Sequence, residues 1–281
     1  ELSILNFGSD EQKRRWLPGL CSGKQIAAIA IAEKQGASDA FDMLTVAEPA
    51  QNGYILNGEK CYITNVPFCD IILTFARVKD SHDILCLMVE RNTAGIAVHE
   101  IEKLGMRTAP FGAIIFNNCF IPETNILGQK NSGKLIFMGA MEWERGCILA
   151  PEVGVMERRL RETIDYVKKR EQNSLPLSQR QSVSHRIVDM KVRVELSRLL
   201  LYKFVWEKQT RKRANMYASM VKLYIAEAVL QNTLDAMQIY GAYGYTCAAD
   251  VERELRDSLA LRIASGTSDI QRNIIAKWLN L

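Results

Sequence analysis

The 281-residue sequence has few of the residues that hold metal ions or build disulfide networks. It contains three histidines, far apart, and seven scattered cysteines with no C-x-x-C pair. Zinc sites need such ligands at short spacings, and disulfide frameworks usually use an even number of cysteines. We therefore expect no metal site and no disulfides, and a reducing, cytoplasmic setting for the protein.

Long apolar runs and concentrated positive charge are also lacking. No stretch of eighteen apolar residues occurs, and the first residues do not resemble a leader, so neither a membrane span nor a signal peptide is predicted. The net charge is only +4, and its three basic clusters fit solvated helix faces. Contact of these clusters with the phosphates of an anionic ligand, or with an acidic carrier, is the alternative. No basic face with stacking aromatics indicates nucleic-acid binding.

Short β-type segments fill the first half of the chain. They alternate apolar and polar residues and are separated by turn residues, and Asn57-Gly58 is the strongest local hairpin signal. The predicted strands are residues 25–32, 44–48, 53–64, 70–78, 83–90, 95–100 and 113–121. This spacing predicts a mainly antiparallel, barrel- or sandwich-like β domain.

Helical periodicity dominates the second half, and a short helix precedes the strands. Ser9 and Gln12 have the spacing of a capping box, and the helix after them is predicted to end at Pro18-Gly19. The later helices are predicted at residues 132–170, 179–209, 213–242, 247–260 and 268–279.

The order of the elements indicates the fold class. Strands first and helices second are typical of an α+β fold, and they argue against alternating βαβ units. No G-x-G-x-x-G follows a strand, so a Rossmann dinucleotide site is not indicated. We expect an antiparallel β domain at residues 25–130 and a four-helix-bundle-type α domain at residues 131–281.

Glu144 interrupts the apolar face of the segment FMGAMEWERGCI. In a helix, its side chain would share one face with the typical core residues Phe137, Met141 and Ile148. Because burying a carboxylate is costly, Glu144 is expected either to pair with a cation or to have a chemical role. Glu142, two positions away, points elsewhere and is expected at the surface.

Five motifs, in order, resemble those of the acyl-CoA dehydrogenase family of flavoproteins. They are IAEKQGASD (31–39), YITN (62–65), REQNSLPLSQRQ (170–181), QIYGAYGY (238–245) and GTSDIQR (266–272). The resemblance implies FAD between the β domain and the helical domain of a homodimer or homotetramer. It also implies that residues 1–24 are the remnant of an N-terminal helical domain, most of which this chain lacks and which completes one wall of the active site.

The resemblance assigns FAD contacts to specific positions. Ser38, Tyr62 and Thr64 would line the flavin, where hydroxyl and N–H groups tune its electron affinity. An arginine such as Arg170 suits the diphosphate, because its planar fork donates two parallel hydrogen bonds. The implied cofactor-binding set is Ser38, Tyr62, Thr64, Arg170, Gln172, Gln181, Gln238, Ala242, Thr267 and Asp269.

The last motif has an alternative explanation. Thr267 and Asp269 stand where a helix begins, and the N–H groups there favour oxygen atoms of a cofactor or substrate. Equally, Thr267 or Ser268 could serve only as the helix cap.

Some motif positions depart from the family pattern. Ala32-Glu33-Lys34-Gln35 stands where threonine-glutamate-proline-glycine is usual. Asn173-Ser174 replaces phenylalanine-glycine, and Ala242 replaces a frequent glycine. Many family contacts use the backbone, so FAD binding is still expected.

The family's reaction needs a carboxylate base that takes the α-proton of an acyl thioester. Many members place this glutamate directly before the last glycine-threonine, where this chain has Ser265, and a serine alone is too weak a base. A minority, including isovaleryl-CoA dehydrogenase, supply it from an E-R pair on another helix, which aligns with Glu144 and Arg145. The resemblance thus implies Glu144 as the base, with substrate contacts at Ser38, Met141, Arg145, Ser265 and Gly266.

The implied function is FAD-dependent dehydrogenation or oxidation of an acyl thioester carried by CoA or by a carrier protein. The electron acceptor would be an electron-transfer flavoprotein or oxygen. The alternative is a catalytically degenerate relative that serves as a binding or structural subunit.

Overall fold

The computed structural model describes residues 1–36, 39–211 and 214–281. These residues form two compact units, Glu1–Lys103 with Arg107–Ala140 and Leu104–Met106 with Met141–Leu281. The domain boundary at residue 130 remains a prediction, since the first compact unit extends to Ala140. Within the described residues, no helix combines the length and the apolar character that crossing a membrane requires.

Two helices open the first unit, α1 (Leu2–Phe7) and α2 (Asp10–Cys21). The predicted capping box is present, because Ser9 Oγ accepts from Gln12 N at 3.2 Å and Gln12 Oε1 accepts from Ser9 N at 3.0 Å. The predicted end at Pro18-Gly19 is wrong, since α2 continues to Cys21. Proline removes one N–H donor, and the buried Trp16 and Leu20 hold the last turn against the rest of the unit.

Seven strands make one sheet, and every strand predicted from the sequence is present. They are β1 (Ala27–Ala30), β2 (Val46–Ala50), β3 (Gly53–Thr64), β4 (Ile71–Val78), β5 (Ile84–Glu90), β6 (Ile96–Glu100) and β7 (Phe111–Pro122). The strand order is β1-β4-β2-β3-β7-β6, with β5 paired to β4. The pairs β1·β4 and β2·β4 are parallel and the others antiparallel.

Asn57-Gly58 is a bulge within β3 and not the hairpin turn that its sequence suggests. The register between β3 and β7 shifts between Leu56 and Gly58. Gly58 has φ 144°, and a Cβ there would lie 2.7 Å from Thr45 Cα, so a side chain does not fit. The hairpin turn between β2 and β3 lies earlier, where Asn52 adopts a left-handed φ of 59°.

Helices form the second unit, which confirms the α+β class. They are α3 (Gly133–Cys147), which starts in the first unit, and α4 (Ala150–Lys169), α5 (Gln181–Arg211), α6 (Asn215–Tyr240), α7 (Val251–Leu261) and α8 (Ser268–Trp278). A short hairpin of β8 (Glu171–Gln172) and β9 (Leu175–Pro176) joins α4 to α5. The helix α6 is central, because it contacts α4, α5, α7 and α8.

The single helix predicted over residues 132–170 is wrong, because the chain forms α3 and α4 with a break at Ile148 and Leu149. Leu149 leaves helical geometry with ψ 7°. Pro151 lies in the first turn of α4 and has no N–H group with which to continue the hydrogen bonds of α3. Proline is tolerated at this place because the N–H groups of a first helical turn have no partner within the helix. A proline at a helix start therefore separates two helices that share one periodicity.

Candidate active site

Glu144 and Ser265, both singled out in the sequence, meet in the second unit. Glu144 is half-buried on α3, and Ser265 Oγ donates a hydrogen bond to its Oε1. The predicted apolar face holds for Met141, which is buried, but not for Ile148, which is 47% exposed. Ile148 lies just after the end of α3 at Cys147, in the turn that separates α3 from α4.

The serine belongs to a sharp turn between α7 and α8. Ser265 and Gly266 both adopt left-handed backbone conformations, with φ of 57° and 91°. Such angles reverse the chain tightly and disfavour a residue with a Cβ. Thr267 then caps α8, because its side chain accepts from Ile270 N at 3.3 Å. The capping role considered for Thr267 is thus present.

Three buried or half-buried side chains hold this turn by its carbonyl groups. Arg145 Nε donates to Ser265 O at 3.1 Å. Gln271 Nε2 donates to Ser265 O at 3.2 Å and to Gly266 O at 2.9 Å. Lys222 Nζ donates to Gly266 O at 2.7 Å. The carbonyl oxygens of both turn residues are therefore fixed from α3, α6 and α8.

The site carries positive charge with little access to water. Lys222 is 1% exposed, and burial lowers its pKa to about 8, with the charges of Arg145 and Arg262 acting in the same direction and that of Glu227 opposing them. Burial also lowers the pKa of Arg145, against the raising effect of the Glu144 charge. Among these cations, Arg145 interacts with the charge of Glu144.

Lys222 and Gln271 were not among the residues selected from the sequence. Lys222 is a single cation within the apolar run MVKLYIAEAVL on α6. This isolated position could have indicated a buried lysine, because a cation in a helix that is apolar on all sides needs a buried hydrogen-bond acceptor. Gln271 belongs to the motif GTSDIQR, but nothing in its spacing distinguishes it from neighbouring polar residues.

Glu142 is buried, so its expected surface position is wrong. It is 6% exposed, its Oε2 accepts from Lys208 Nζ at 2.8 Å, and its Oε1 accepts from Ala214 N at 2.5 Å. The prediction assumed that α3 has one buried face. Gly146, one turn from Glu142, lies so close to Phe204 of α5 that a Cβ would approach its ring to 2.1 Å. The segment of α3 in the second unit therefore has a second buried face, against α5.

Two cofactor-binding candidates belong to the described part of the first unit, and a third, Ser38, lies outside the described residues. Tyr62 is exposed, has a left-handed φ of 62°, and its ring stacks on Phe111 with 6.3 Å between centroids. Thr64 is exposed at the end of β3. A non-glycine residue with positive φ is uncommon, and such strain often marks functional positions.

The segment that departs from the family's first motif contains a buried ion pair. Glu33 Oε1 accepts from Lys60 Nζ at 2.8 Å, from Thr45 N at 3.0 Å and from Thr45 Oγ1 at 2.6 Å, and Lys60 is fully buried. Glu33 Oε2 accepts from Leu44 N at 2.6 Å. Burial alone would raise the pKa of Glu33, but these donors and Gln35 outweigh it and lower the pKa to about 2.

The candidates at the α4–α5 connection are exposed and available to a ligand. Within the described chain, the side chains of Arg170, Gln172 and Gln181 make no hydrogen bond or ion pair. The turn at Asn173-Ser174 has left-handed φ values of 52° and 59°. Both residues thus complete a two-residue hairpin without the glycine that the family usually has.

Arg180, which was not predicted from the sequence, is a further donor at this connection. One of its terminal nitrogens donates to Gln172 O at 2.9 Å, while its buried Nε has no partner among the described residues. A buried N–H without an acceptor is costly, so an anionic oxygen would suit it. Guanidinium and amide donors together fit a diphosphate.

The remaining candidates lie at helix ends of the second unit. Gln238 is exposed near the end of α6, and Ala242 is exposed in the 3-10 turn that follows. Asp269 is exposed in the first turn of α8 and pairs with Arg272 at 2.9 Å. None of these three contacts the turn at Ser265 through a hydrogen bond in the described part of the chain.

Two family models match the chain. "Acyl-CoA dehydrogenase, middle domain" matches residues 28–119, and "Acyl-CoA dehydrogenase, C-terminal domain" matches residues 131–280. The L-prolyl-peptidyl-carrier-protein dehydrogenase of Serratia sp. is 39% identical over 284 residues, which cover 100% of this chain and 74% of that protein.

Solved structures agree with this match. The crystal structure of the prolyl acyl carrier protein oxidase AnaB superposes with a TM-score of 0.97 at 41% identity, covering 100% of this chain and 75% of that one. A structure of PigA with FAD and proline gives 0.97 at 38% identity, covering 100% and 74%. The chain belongs to the acyl-CoA dehydrogenase family of oxidoreductases, as its motifs predicted.

Proposed function

We propose that the protein is an FAD-dependent dehydrogenase that introduces a double bond between the α- and β-carbons of an acyl thioester, with Glu144 as the base. The observation that carries this proposal is the hydrogen bond between Ser265 and Glu144, 121 residues apart. By the family resemblance, position 265 is where many members place the base. A carboxylate from α3 reaches this same position, and so it can replace the base that Ser265 cannot be.

The environment of Glu144 supports proton abstraction. The base has to accept the α-proton on a carboxylate oxygen while the electron pair of the broken C–H bond forms the new double bond. Within the described residues, Glu144 Oε1 is occupied by Ser265 and Oε2 has no hydrogen-bond or ion-pair partner. Oε2 is therefore the oxygen that we assign to the proton. Arg145, the next residue of α3, carries a charge that interacts with that of Glu144.

FAD is the cofactor that the donor set supports. Tyr62 and Thr64 offer exposed hydroxyls, and the exposed Arg170, Gln172 and Gln181 offer donors for a diphosphate. The unpartnered Nε of Arg180 adds a further N–H. When bound, FAD supplies the acceptor for the hydride that leaves the β-carbon.

The substrate that the comparisons favour is an aminoacyl or acyl group on a carrier protein, with the CoA ester as the second choice. Relatives named for prolyl carrier-protein substrates are 38–41% identical to the chain. The isovaleryl-CoA dehydrogenases are 31–34% identical. We propose an electron-transfer flavoprotein or oxygen as the final acceptor, and a homodimer or homotetramer as the assembly.

The test combines a spectrum with a substrate panel. The protein is incubated with FAD, freed of excess cofactor, and its visible absorption is recorded. It is then mixed with acyl and aminoacyl thioesters of CoA and of carrier proteins, and the masses of the products are measured by mass spectrometry. We expect retained flavin bands and the loss of two hydrogens from one substrate class. Absence of flavin bands would contradict the proposal and favour a binding or structural role.

Replacing the base separates chemistry from cofactor binding. Glu144→Gln keeps the shape of the side chain and its capacity to accept from Ser265, but it cannot take a proton. We expect unchanged flavin bands and turnover lower by about 10²–10⁴-fold, the usual contribution of a general base. Turnover equal to that of the unmodified protein would reject Glu144 as the base.

A further inference from the structure

We propose that Ser265 is a positioning residue for Glu144, holding the base through its hydroxyl group. The inference rests on the proposed function and extends it to a residue that touches the base instead of the reacting carbons. Its starting point is geometric, because Ser265 Oγ donates directly to Glu144 Oε1. A glutamate side chain has three rotatable bonds, so one fixed oxygen restricts where the other can point.

Several hydrogen bonds hold the backbone at Ser265 in one conformation. Ser265 keeps a left-handed φ of 57°, a conformation that a residue with a Cβ rarely adopts. Four hydrogen bonds from Arg145, Gln271 and Lys222 reach the carbonyls of Ser265 and Gly266. A strained conformation persists only where its surroundings impose it. The turn therefore fixes the hydroxyl at one place, opposite the carboxylate.

Arg145 links the two halves of this arrangement. It follows Glu144 directly on α3, and its Nε donates to Ser265 O at 3.1 Å. Arg145 thus binds the backbone of Ser265, and the hydroxyl group of Ser265 binds Glu144. This reciprocal pair sets the distance between α3 and the turn, so the hydroxyl and the carboxylate cannot separate without breaking both contacts.

The hydrogen bond occupies Oε1 of the base, which leaves Oε2 to take the proton. The charged groups around the turn are Arg145 and Lys222, with Arg262 and Glu227 facing Lys222, and none of them donates to Glu144 in the described residues. Ser265 is therefore the group that orients the carboxylate.

The two hydroxyl-free variants S265A and S265G separate positioning from structure. Alanine keeps the Cβ and the backbone strain, whereas glycine adopts a φ of 57° readily and should fold at least as stably as serine. If Ser265 only needed to fit the turn, S265G would act like the unmodified protein. If it positions Glu144, both variants lose the same function despite their different stabilities.

We expect kcat to fall about ten- to a hundredfold in both variants, as for loss of a hydrogen bond to a charged group, with KM unchanged. The control S258A removes another buried hydroxyl of this unit, which donates to Leu255 O at 2.8 Å, and should keep both kcat and KM.

A readout without FAD or substrate comes from infrared spectroscopy. The carboxylate band of Glu144, identified by its absence from E144Q, should shift in S265G when the hydrogen bond is lost. An unshifted band, or full kcat in S265G, would overturn the inference while leaving an inactive E144Q in place. A similar loss of kcat in S258A would overturn it as well. Full activity of E144Q would instead reject the proposed function itself.

Discussion

At the scale of single residues, Glu33 and Lys60 show how a motif that departs from the family pattern is stabilised. Glu33 binds the N–H groups of Leu44 and Thr45, which ties the segment after β1 to the start of β2. Lys60, fully buried on β3, also donates to Ile31 O at 3.1 Å. Neither charge can be removed alone without leaving its partner buried and unpaired.

Breaking this pair should destabilise the protein. We expect Lys60→Met to lower the free energy of unfolding by about 3 kcal/mol, because the Glu33 carboxylate would lose its ammonium partner inside the unit. The double variant E33Q with K60M should recover part of the loss, since it leaves no buried charge. Urea unfolding at neutral pH measures both effects. A stability of K60M equal to that of the unmodified protein would exclude the structural importance of the pair.

The same pair predicts a pH dependence. The folded pKa of Glu33, about 2, lies below its ordinary value of 4.5, so its stabilising contribution is complete above about pH 4.5 and is lost as the pH falls toward 2. The variant E33Q has no carboxylate there to titrate. We therefore expect the difference in unfolding free energy between the unmodified protein and E33Q to shrink over this range. A difference that stays constant with pH would contradict the assignment.

Glu142 and Glu144 illustrate what a sequence can and cannot say about a carboxylate. The apolar spacing selected Glu144, and the family resemblance supplied its proposed role as a base. The same spacing placed Glu142 in solvent, yet Glu142 is the more deeply buried of the two. Its partners, Lys208 and Ala214 N, come from more than sixty residues away, so no local pattern could reveal them.

At the scale of elements, the second buried face of α3 makes a matched prediction about two glycines. A Cβ on Gly146 would meet the ring of Phe204, whereas one on Gly154, exposed on α4, would meet nothing within 4 Å. We expect Gly146→Ala to destabilise by about 1–3 kcal/mol through overpacking. Gly154→Ala should stabilise by about 0.5–1 kcal/mol, as alanine favours a helix.

Thermal unfolding of the two glycine variants tests this prediction. Each replaces a helical glycine by the same residue, so the difference between them isolates the contact with Phe204. If both variants changed the midpoint equally and in the same direction, α3 would not pack against α5 as described.

The elements themselves were largely predictable, and the errors have local physical causes. Alternation located all seven strands, because each alternates or concentrates apolar residues between turns. Asn57-Gly58 has the composition of a turn but supplies a bulge, where glycine is needed for its close approach to Thr45. Proline misled twice, since Pro18 lies inside α2 and Pro151 starts a new helix. The effect of a proline on a helix depends on whether its missing N–H group would have formed a helical hydrogen bond, and the sequence does not show this.

At the scale of the whole molecule, family membership and the reaction centre depend on different kinds of information. Five ordered motifs sufficed for the family, and all five lie within the residues that the two family models match. The contacts of Ser265 required the structure. They join α3, α6 and α8 around one turn, and no spacing in the sequence links residues 145, 222 and 265.

The central claim, that Glu144 removes the α-proton, is tested most directly by the rate at which substrate bleaches the bound flavin in a single turnover. Glu144→Gln is compared with Glu142→Gln, its neighbour on α3. We expect E144Q to slow bleaching by about 10²–10⁴-fold with an unchanged unfolding midpoint, and E142Q to lower that midpoint while bleaching normally. Bleaching by E144Q within tenfold of the unmodified rate would contradict the account.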